Sequence, residues 1–325
     1  MTQIVTIDIG GTHARFAIAR IERGGAITLG DPVTLHTDDH ASFQTAWEAF
    51  RERHGGAVPR DIAIAVAGPV GGDDRVIKFT NNPWIIRPAL IGEKLGVDRY
   101  TLVNDFAAVA HAVARVDAAH LLPLAGPDLP LPDHGAVTVI GPGTGLGVAL
   151  LLREGDRYHV QATEGGHIDF APHDSIDDAI LARLRRRHTR VSVERVVSGP
   201  AIVDIHATLA ALEGRAVTER DDVALWIAGT DGSDSLAAAA VDRFCMALGS
   251  AAGDFALAHG AAGVVVAGGL GYRIRDTIMA SAFADRFRAK GRFADMMAKI
   301  PVKLITHPQP GLFGAAAAFV REHLS

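Results

Sequence analysis

Asn104 and Asp105 follow the short apolar stretch Tyr100-Thr101-Leu102-Val103 and precede the alanine-rich FAAVA. A buried strand, two polar residues and then a helix is the order in which open α/β folds place reactive side chains. The same pair also suits an ordinary helix N-cap, and spacing alone favours the cap. Further on, TEGGHIDF (163–170) sets Glu164 and His167 on either side of two glycines. Both side chains can then turn toward one cavity, where a carboxylate and a neutral imidazole accept from and donate to sugar hydroxyls. A metal site and a core histidine are the competing readings. No HExxH occurs and no second His–carboxylate pair has suitable spacing, which disfavours the metal. Glu194, in VERVVSGPA (193–201), is another cavity candidate, although by itself it reads as a solvated glutamate at a helix start.

Glycine-rich turns supply the second kind of chemistry. In DIGGTHAR (8–15), the backbone N–H groups of Gly10, Gly11 and Thr12 can cradle a phosphate because no side chain blocks the approach. Asp8 arrives on the preceding strand, where a carboxylate suits Mg²⁺ or its waters. A tight hairpin with Asp8 as a buried turn cap is the plainer alternative. GPGTGLG (141–147) repeats the theme with Gly141, Gly143 and Gly145 around the hydroxyl of Thr144. It is not a dinucleotide fingerprint, because Leu146 stands at the sixth position and a strand follows; the chain also lacks the Gly-Lys-Ser/Thr of a P-loop. A simple sheet bend remains the alternative there. Gly268-Gly269 closes a third strand, and the three turns together point to phosphate binding.

The surrounding pattern must position these groups. Ile4–Ile9 and Arg15–Ala19 predict a hairpin with a glycine tip, and a third strand is expected near 27–35. Phe43, Ala46, Trp47 and Phe50 are spaced for one face of a helix over 42–53. Strands are expected at 62–67 and 76–80, a loop at 81–84, a short helix at 87–95, then the 100–110 segment. The HTDDH stretch (36–40) reads as a polar loop. A Pro-rich loop (121–133) marks a domain boundary before it. Strands 137–140 and 148–152 enclose the second glycine turn, so the chain reads weakly as a duplication. Helix dominates 176–258, with 234–258 read as one long helix or two because Gly249 and Gly253 interrupt it. Strands at 264–267 and 302–305 and an alanine-rich C-terminal helix complete the pattern.

Composition narrows the classes. Of 325 residues, 48% are hydrophobic and 21% charged, which provides ample core for about two domains. The net charge of −5 and 6% aromatics argue against nucleic acid as the main partner. The arginines between Arg183 and Arg190 are accordingly expected to form a solvated helix face. A single cysteine, Cys245, rules out an internal disulfide and suits a reducing cytoplasm, where the protein is expected. No membrane span or signal segment is predicted.

Taken together, DIGGTHAR, FTNNPW (79–84), LVNDFAAVA (102–110), GPGTGLG, EGGHIDFAP (164–172), ERVVSGP (194–200), AGG (267–269), KGRF (290–293), IPV (300–302) and PGLFG (310–314) resemble the bacterial glucokinase family, in family order over nearly the whole chain. The resemblance implies an ATP-dependent hexose kinase with the actin-like ATPase (ribonuclease H-like) fold. It implies a small α/β domain (1–115 with 308–325) and a larger α+β domain (116–307), with a cleft between them. Asp105 would be the catalytic base, and Asn104, Glu164, His167 and Glu194 would join it in binding glucose. Asp8, Gly10, Gly11 and Thr12 would form the first phosphate loop, Gly141, Gly143, Thr144 and Gly145 the second, and Gly268 and Gly269 the adenosine site. Asp8 would hold Mg²⁺, through water. Glucose, ATP and a second copy of the chain would be the partners, with neither nucleic acid nor membrane among them. Two departures stand out: His13 occupies a position where the family usually has Asn, and one cysteine excludes the zinc motif of the related repressor–kinase sugar kinases. A kinase for another hexose, or an actin-like or chaperone-type ATPase without a sugar, are the alternative functions.

Overall fold

The computed structural model describes residues 1–68, 70, 76–79, 82–216 and 220–324. The chain divides into two compact units, Met1–Val116 with His307–Ser325, and Asp117–Thr306.

In the first unit, β1 (Thr2–Ile9) and β2 (His13–Ile21) form the glycine-tipped hairpin, with β3 (Ile27–Leu29) and β4 (Val33–His36) both pairing β2. The expected single third strand is thus two. Gly30 separates them, and its N–H bonds Ile18 O at 2.9 Å. Helix α1 (Phe43–Arg53) begins at Ser42, which forms a capping box with Thr45. The chain continues through β5 (Asp61–Val66), β6 (Ile77–Lys78), β7 (Ile85–Ile86), α2 (Ile91–Leu95), β8 (Arg99–Asn104) and α3 (Asp105–Arg115). Pro69 and Thr80–Asn81, part of the expected strand end and of FTNNPW, lie outside the described residues. The sheet order is β3-β2-β1-β5-β8, with β1, β5 and β8 parallel.

In the second unit, β9 (Leu121–Ala125) leads to the long hairpin β10 (His134–Pro142) and β11 (Leu146–Glu154), followed by β12 (Arg157–Thr163). Helices α4 (Ser175–Arg185), α5 (Ala201–Leu212), α6 (Asp222–Thr230) and α7 (Ser235–His259) come next. After β13 (Ala261–Val266), four short helices, α8 (Gly269–Arg273), α9 (Arg275–Ala280), α10 (Phe283–Arg288) and α11 (Ala294–Met297), precede β14 (Val302–Ile305). The sheet order is β12-β11-β10-β13-β14-β9. An antiparallel hairpin beside two parallel strands therefore occurs in both units, which makes the duplication visible in topology although the sequence barely carries it.

Helix α7 is continuous. Gly249 and Gly253 do not break it; they admit the backbone of α10, since a Cβ would stand 2.3 Å from Phe283 O and 2.5 Å from Phe287 O. This helix is long and apolar enough to cross a membrane, but 72% of its apolar window is buried within the unit, as a core helix requires. The C-terminal helix α12 (Pro310–His323) returns to the first unit. It covers one face of that sheet through Ala315, Ala316, Phe319 and Val320, while Trp47, Phe50, Trp84 and Ile91 cover the other.

Candidate functional site

Because β1, β5 and β8 are parallel, their carboxyl ends share one edge of the first unit's sheet, and Ile9, Val66 and Asn104 stand side by side in register. Asp8, the Gly10–Thr12 turn and Asp105 therefore emerge at one edge, the end at which open α/β sheets bind ligands.

The cap at α3 belongs to Asn104, not to Asp105. Asn104 Oδ1 accepts from Phe106 N and Ala107 N, both at 3.0 Å, and its Nδ2 donates to Gly68 O at 3.1 Å. The side chain of Asn104 is thus engaged at both ends. Asp105 is the first helical residue, half-buried, with Oδ1 accepting from Phe106 N at 2.8 Å.

Asp8 faces Arg15 across the hairpin, at 3.6 Å. Burial pushes the Asp8 carboxyl above its ordinary value, and the Arg15 charge and hydrogen bond work against that rise without cancelling it. A desolvated carboxylate at a phosphate turn suits a cation that keeps most of its waters. The turn itself is braced: Thr37, fully buried, donates through its hydroxyl to Gly11 O at 3.0 Å and through its N–H to Thr12 O at 3.0 Å. Asn82 Nδ2 donates to Gly10 O at 3.4 Å. HTDDH is therefore more than a polar loop, since its Thr37 braces the glycine turn. His13 packs against His36 with ring centroids 4.5 Å apart and the ring planes tilted, and burial first, then the charges of His36 and Arg15, holds it below its ordinary value.

The second unit assembles three segments. Gly166 lies under the hairpin end, where a Cβ would meet Leu146 O at 2.2 Å. Val193 N donates to Ile168 O at 2.9 Å, and Asp169 bridges Ser192, so the segment carrying Glu164 and His167 is sewn to the one carrying Glu194. Glu164 and His167 are exposed, with Oε2 and Nε2 3.9 Å apart. Glu194 is half-buried, and its Oε2 accepts from Leu146 N at 2.9 Å. Gly145 makes room for that carboxylate, since a Cβ would stand 2.4 Å from Oε2.

The glycines of the three turns differ in what demands them. At Gly143 and Gly269 a Cβ would meet nothing within 4 Å, so protein packing does not require glycine there. Gly268 is required by the fold: its φ is +88° and a Cβ would stand 2.7 Å from Pro142 O. That contact sets the Gly268-Gly269 turn directly against the second hairpin, next to Gly141. Thr144 is exposed at the hairpin tip. Among the described residues no cluster of three or more metal-ligating side chains occurs. The arginine run is ion-paired surface, with Arg183 and Arg187 on Asp204 and Arg190 on Asp169.

Comparison with known proteins decides among the kinase readings. The glucokinase family model matches residues 5–322. The chain belongs to the glucokinase family. It is 56% identical over 321 residues to the glucokinase of Zymomonas mobilis, covering 99% of this chain and 98% of that one. It is 40% identical over 319 residues to the glucokinase of Caulobacter vibrioides, covering 97% and 94%. The crystal structure of a glucokinase from an Antarctic psychrotroph superposes with a TM-score of 0.87 at 31% identity, covering 99% of this chain and 100% of that one. The fold is that of the actin-like ATPases, shared with sugar kinases of the repressor–kinase family.

Proposed function

We propose that this glucokinase uses Asp105 as the general base for transfer of the ATP γ-phosphoryl group to the 6-hydroxyl of glucose, giving glucose 6-phosphate and ADP. The activity follows from membership of the family. The observation that supports the base is the placement of Asp105 at α3: Asn104 caps the helix, so Asp105 is not needed for that task, and Asp105 stands at the carboxyl end of β8, the ligand edge of the sheet.

Phosphoryl transfer asks little covalent chemistry of a protein; it asks for an in-line hydroxyl and for neutralised phosphate oxygens. Asp105 would orient the hydroxyl and take its proton as the O–P bond forms. Glu164, His167 and Glu194 would hold the sugar hydroxyls, and Asn104 would act chiefly by fixing the start of α3. The N–H groups of Gly10–Thr12 and Gly141–Gly145 would receive phosphate oxygens, with Gly268 and Gly269 at the adenosine. Asp8 would hold Mg²⁺ through water; its raised carboxyl fits such a cation, which when bound neutralises β- and γ-phosphate charge. Homodimers in a reducing cytoplasm complete the reading: the exposed Leu212, Val223 and Ile227 offer apolar surface for a second copy, and the buried Cys245 thiol suits the compartment.

ADP release measured with a panel of hexoses tests this reading. Glucose should accelerate it strongly and yield the 6-phosphate. ATP turnover at an equal rate without sugar would favour the ATPase alternative, and a preference for another hexose would reassign the substrate.

A further inference from the structure

Two contacts in the second unit join the sugar-binding residue to the phosphate hairpin. Glu194 Oε2 accepts from Leu146 N at 2.9 Å, and five residues later Gly199 N donates to Gly143 O at 2.7 Å. The short segment 194–199 thus grips both sides of the turn. Between them Val196 and Val197 are fully buried, which leaves the segment little freedom to move one end without the other. Its far end is held from behind: the indole Nε1 of Trp226 donates to Gly199 O at 2.9 Å. Trp226 is 3% exposed and packs edge-on against Phe244 with ring centroids 4.9 Å apart, so its indole is fixed in α6.

We propose that Trp226 is a positioning residue of the nucleotide hairpin, and that the Trp226–Gly199–Gly143 and Glu194–Leu146 contacts couple hexose binding to nucleotide binding. The inference rests on the reading above that Glu194 takes the sugar and the hairpin takes phosphate. A sugar hydroxyl bonded to the other oxygen of Glu194 restrains the carboxylate, and through it the Leu146 N–H and the turn. A nucleotide then meets a turn already ordered, and the favourable coupling must be equal in both directions.

Calorimetry with glucose and a non-hydrolysable ATP analogue tests this. In the wild type, saturating analogue should lower the glucose Kd by roughly 5–150-fold, and saturating glucose should lower the analogue Kd by the same factor. Trp226→Phe keeps an aromatic side chain and loses the N–H together with the pyrrole part of the indole, so its melting temperature is measured alongside. It should bind glucose alone as the wild type does, while the coupling factor falls toward one. Gly199→Ala, whose Cβ would press to 3.1 Å on Gly143 O, is the second variant and should lose coupling too. A factor of one in the wild type, or an unchanged factor in either folded variant, overturns the proposal. Glu194→Gln separates the two layers. If it leaves glucose binding unchanged in the absence of nucleotide, the sugar-ligand reading has failed. If it weakens glucose while the wild-type factor is one, only the coupling has failed.

Discussion

Oδ2 of Asp8 lies 2.8 Å from where a Cβ on Gly311 would stand. The first turn of α12 is therefore bare beside the Asp8 carboxylate, and Leu312 O accepts the Thr6 hydroxyl at 2.6 Å alongside it. Gly314, one turn later, serves packing instead: its Cβ would stand 1.7 Å from Ala108 O in α3. Two glycines of one short motif thus divide between site and scaffold. Gly311→Ala should displace Asp8 and raise the KM for MgATP with little loss of melting temperature. Gly314→Ala should destabilise by about 1–3 kcal/mol or more, as overpacking does. Melting curves and ATP kinetics on both variants check the division; equal stability losses would contradict it.

The raised carboxyl of Asp8 carries a sign that can be tested. A folded-state value above the unfolded one means that the folded protein binds the extra proton, so this group's stabilising contribution is present at low pH and is lost as pH rises through the folded value. Burial makes the ionised form of Asp8 a cost to the fold. Asp8→Asn should then melt at or above the wild-type temperature without ligands, and lose much of its activity. A clear drop in melting temperature would mean that the Arg15 pair outweighs the burial.

The second unit holds the opposite case. Arg243 and Arg286, each 9% exposed, meet Asp174 and the buried Asp177 where α4, α7 and α10 converge. Burial works to raise the Asp174 carboxyl, but the Arg243 hydrogen bond, the Asp177 N–H and the two arginine charges outweigh it and hold it far below the usual range. Its contribution is present above about pH 4 and lost as pH falls toward the depressed folded value. Arg243→Met should cost about 2–3 kcal/mol at neutral pH, below the 3–5 of a fully buried pair because Asp174 is 35% exposed. Urea melts at pH 7 and at about pH 2.5 should show the difference shrinking in acid; a constant difference would assign it to packing.

Glu194 offers a comparison between two substitutions. Charge-assisted hydrogen bonds contribute about 1.5–3 kcal/mol, so losing one to the sugar should raise the glucose KM by roughly ten- to a hundred-fold. Glu194→Gln keeps an acceptor for Leu146 N, so its effect should fall mainly on glucose. Glu194→Ala strands that buried N–H and should raise the KM for ATP as well. Unaltered glucose kinetics in both variants would return Glu194 to a purely structural role.

How much of this was legible in the sequence varies with the distance over which each feature acts. The glycine turns, the strand before Asn104 and the packing face of α1 are local, and periodicity and turn chemistry expose them. The Asn104-Asp105 pair leaves the cap open between its two members, because Asn and Asp cap equally well and only the backbone at Asn104 separates them. Thr37, Gly199 and Trp226 were invisible for a different reason. Each acts through a backbone atom distant in the chain or through a turn whose position the topology sets, and no spacing rule anticipates such contacts. The glycines of α7 misled because glycine lowers helix propensity, whereas here it serves close helix packing.

The sharpest test concerns Asp105. Asparagine keeps its shape and the oxygen that accepts the Phe106 N–H, and removes the charge and the basicity. Because Asn104 supplies the cap, the stability cost should be limited to a carboxylate at a helix N-terminus, about 0.3–1 kcal/mol. General base catalysis contributes about 10²–10⁴-fold, so kcat should fall at least that far, and further if the charge also aligns the hydroxyl. Glucose and ATP should still bind. Asn104→Ala should show the reverse profile: a loss of about 1 kcal/mol from the missing cap, with activity falling only as far as Asp105 shifts with the loosened first turn. Pairing kcat with melting curves for the two variants distinguishes chemistry from scaffold. Near-normal turnover in a folded Asp105→Asn protein would remove Asp105 from the reaction and reduce the Asn104-Asp105 pair to the start of a helix.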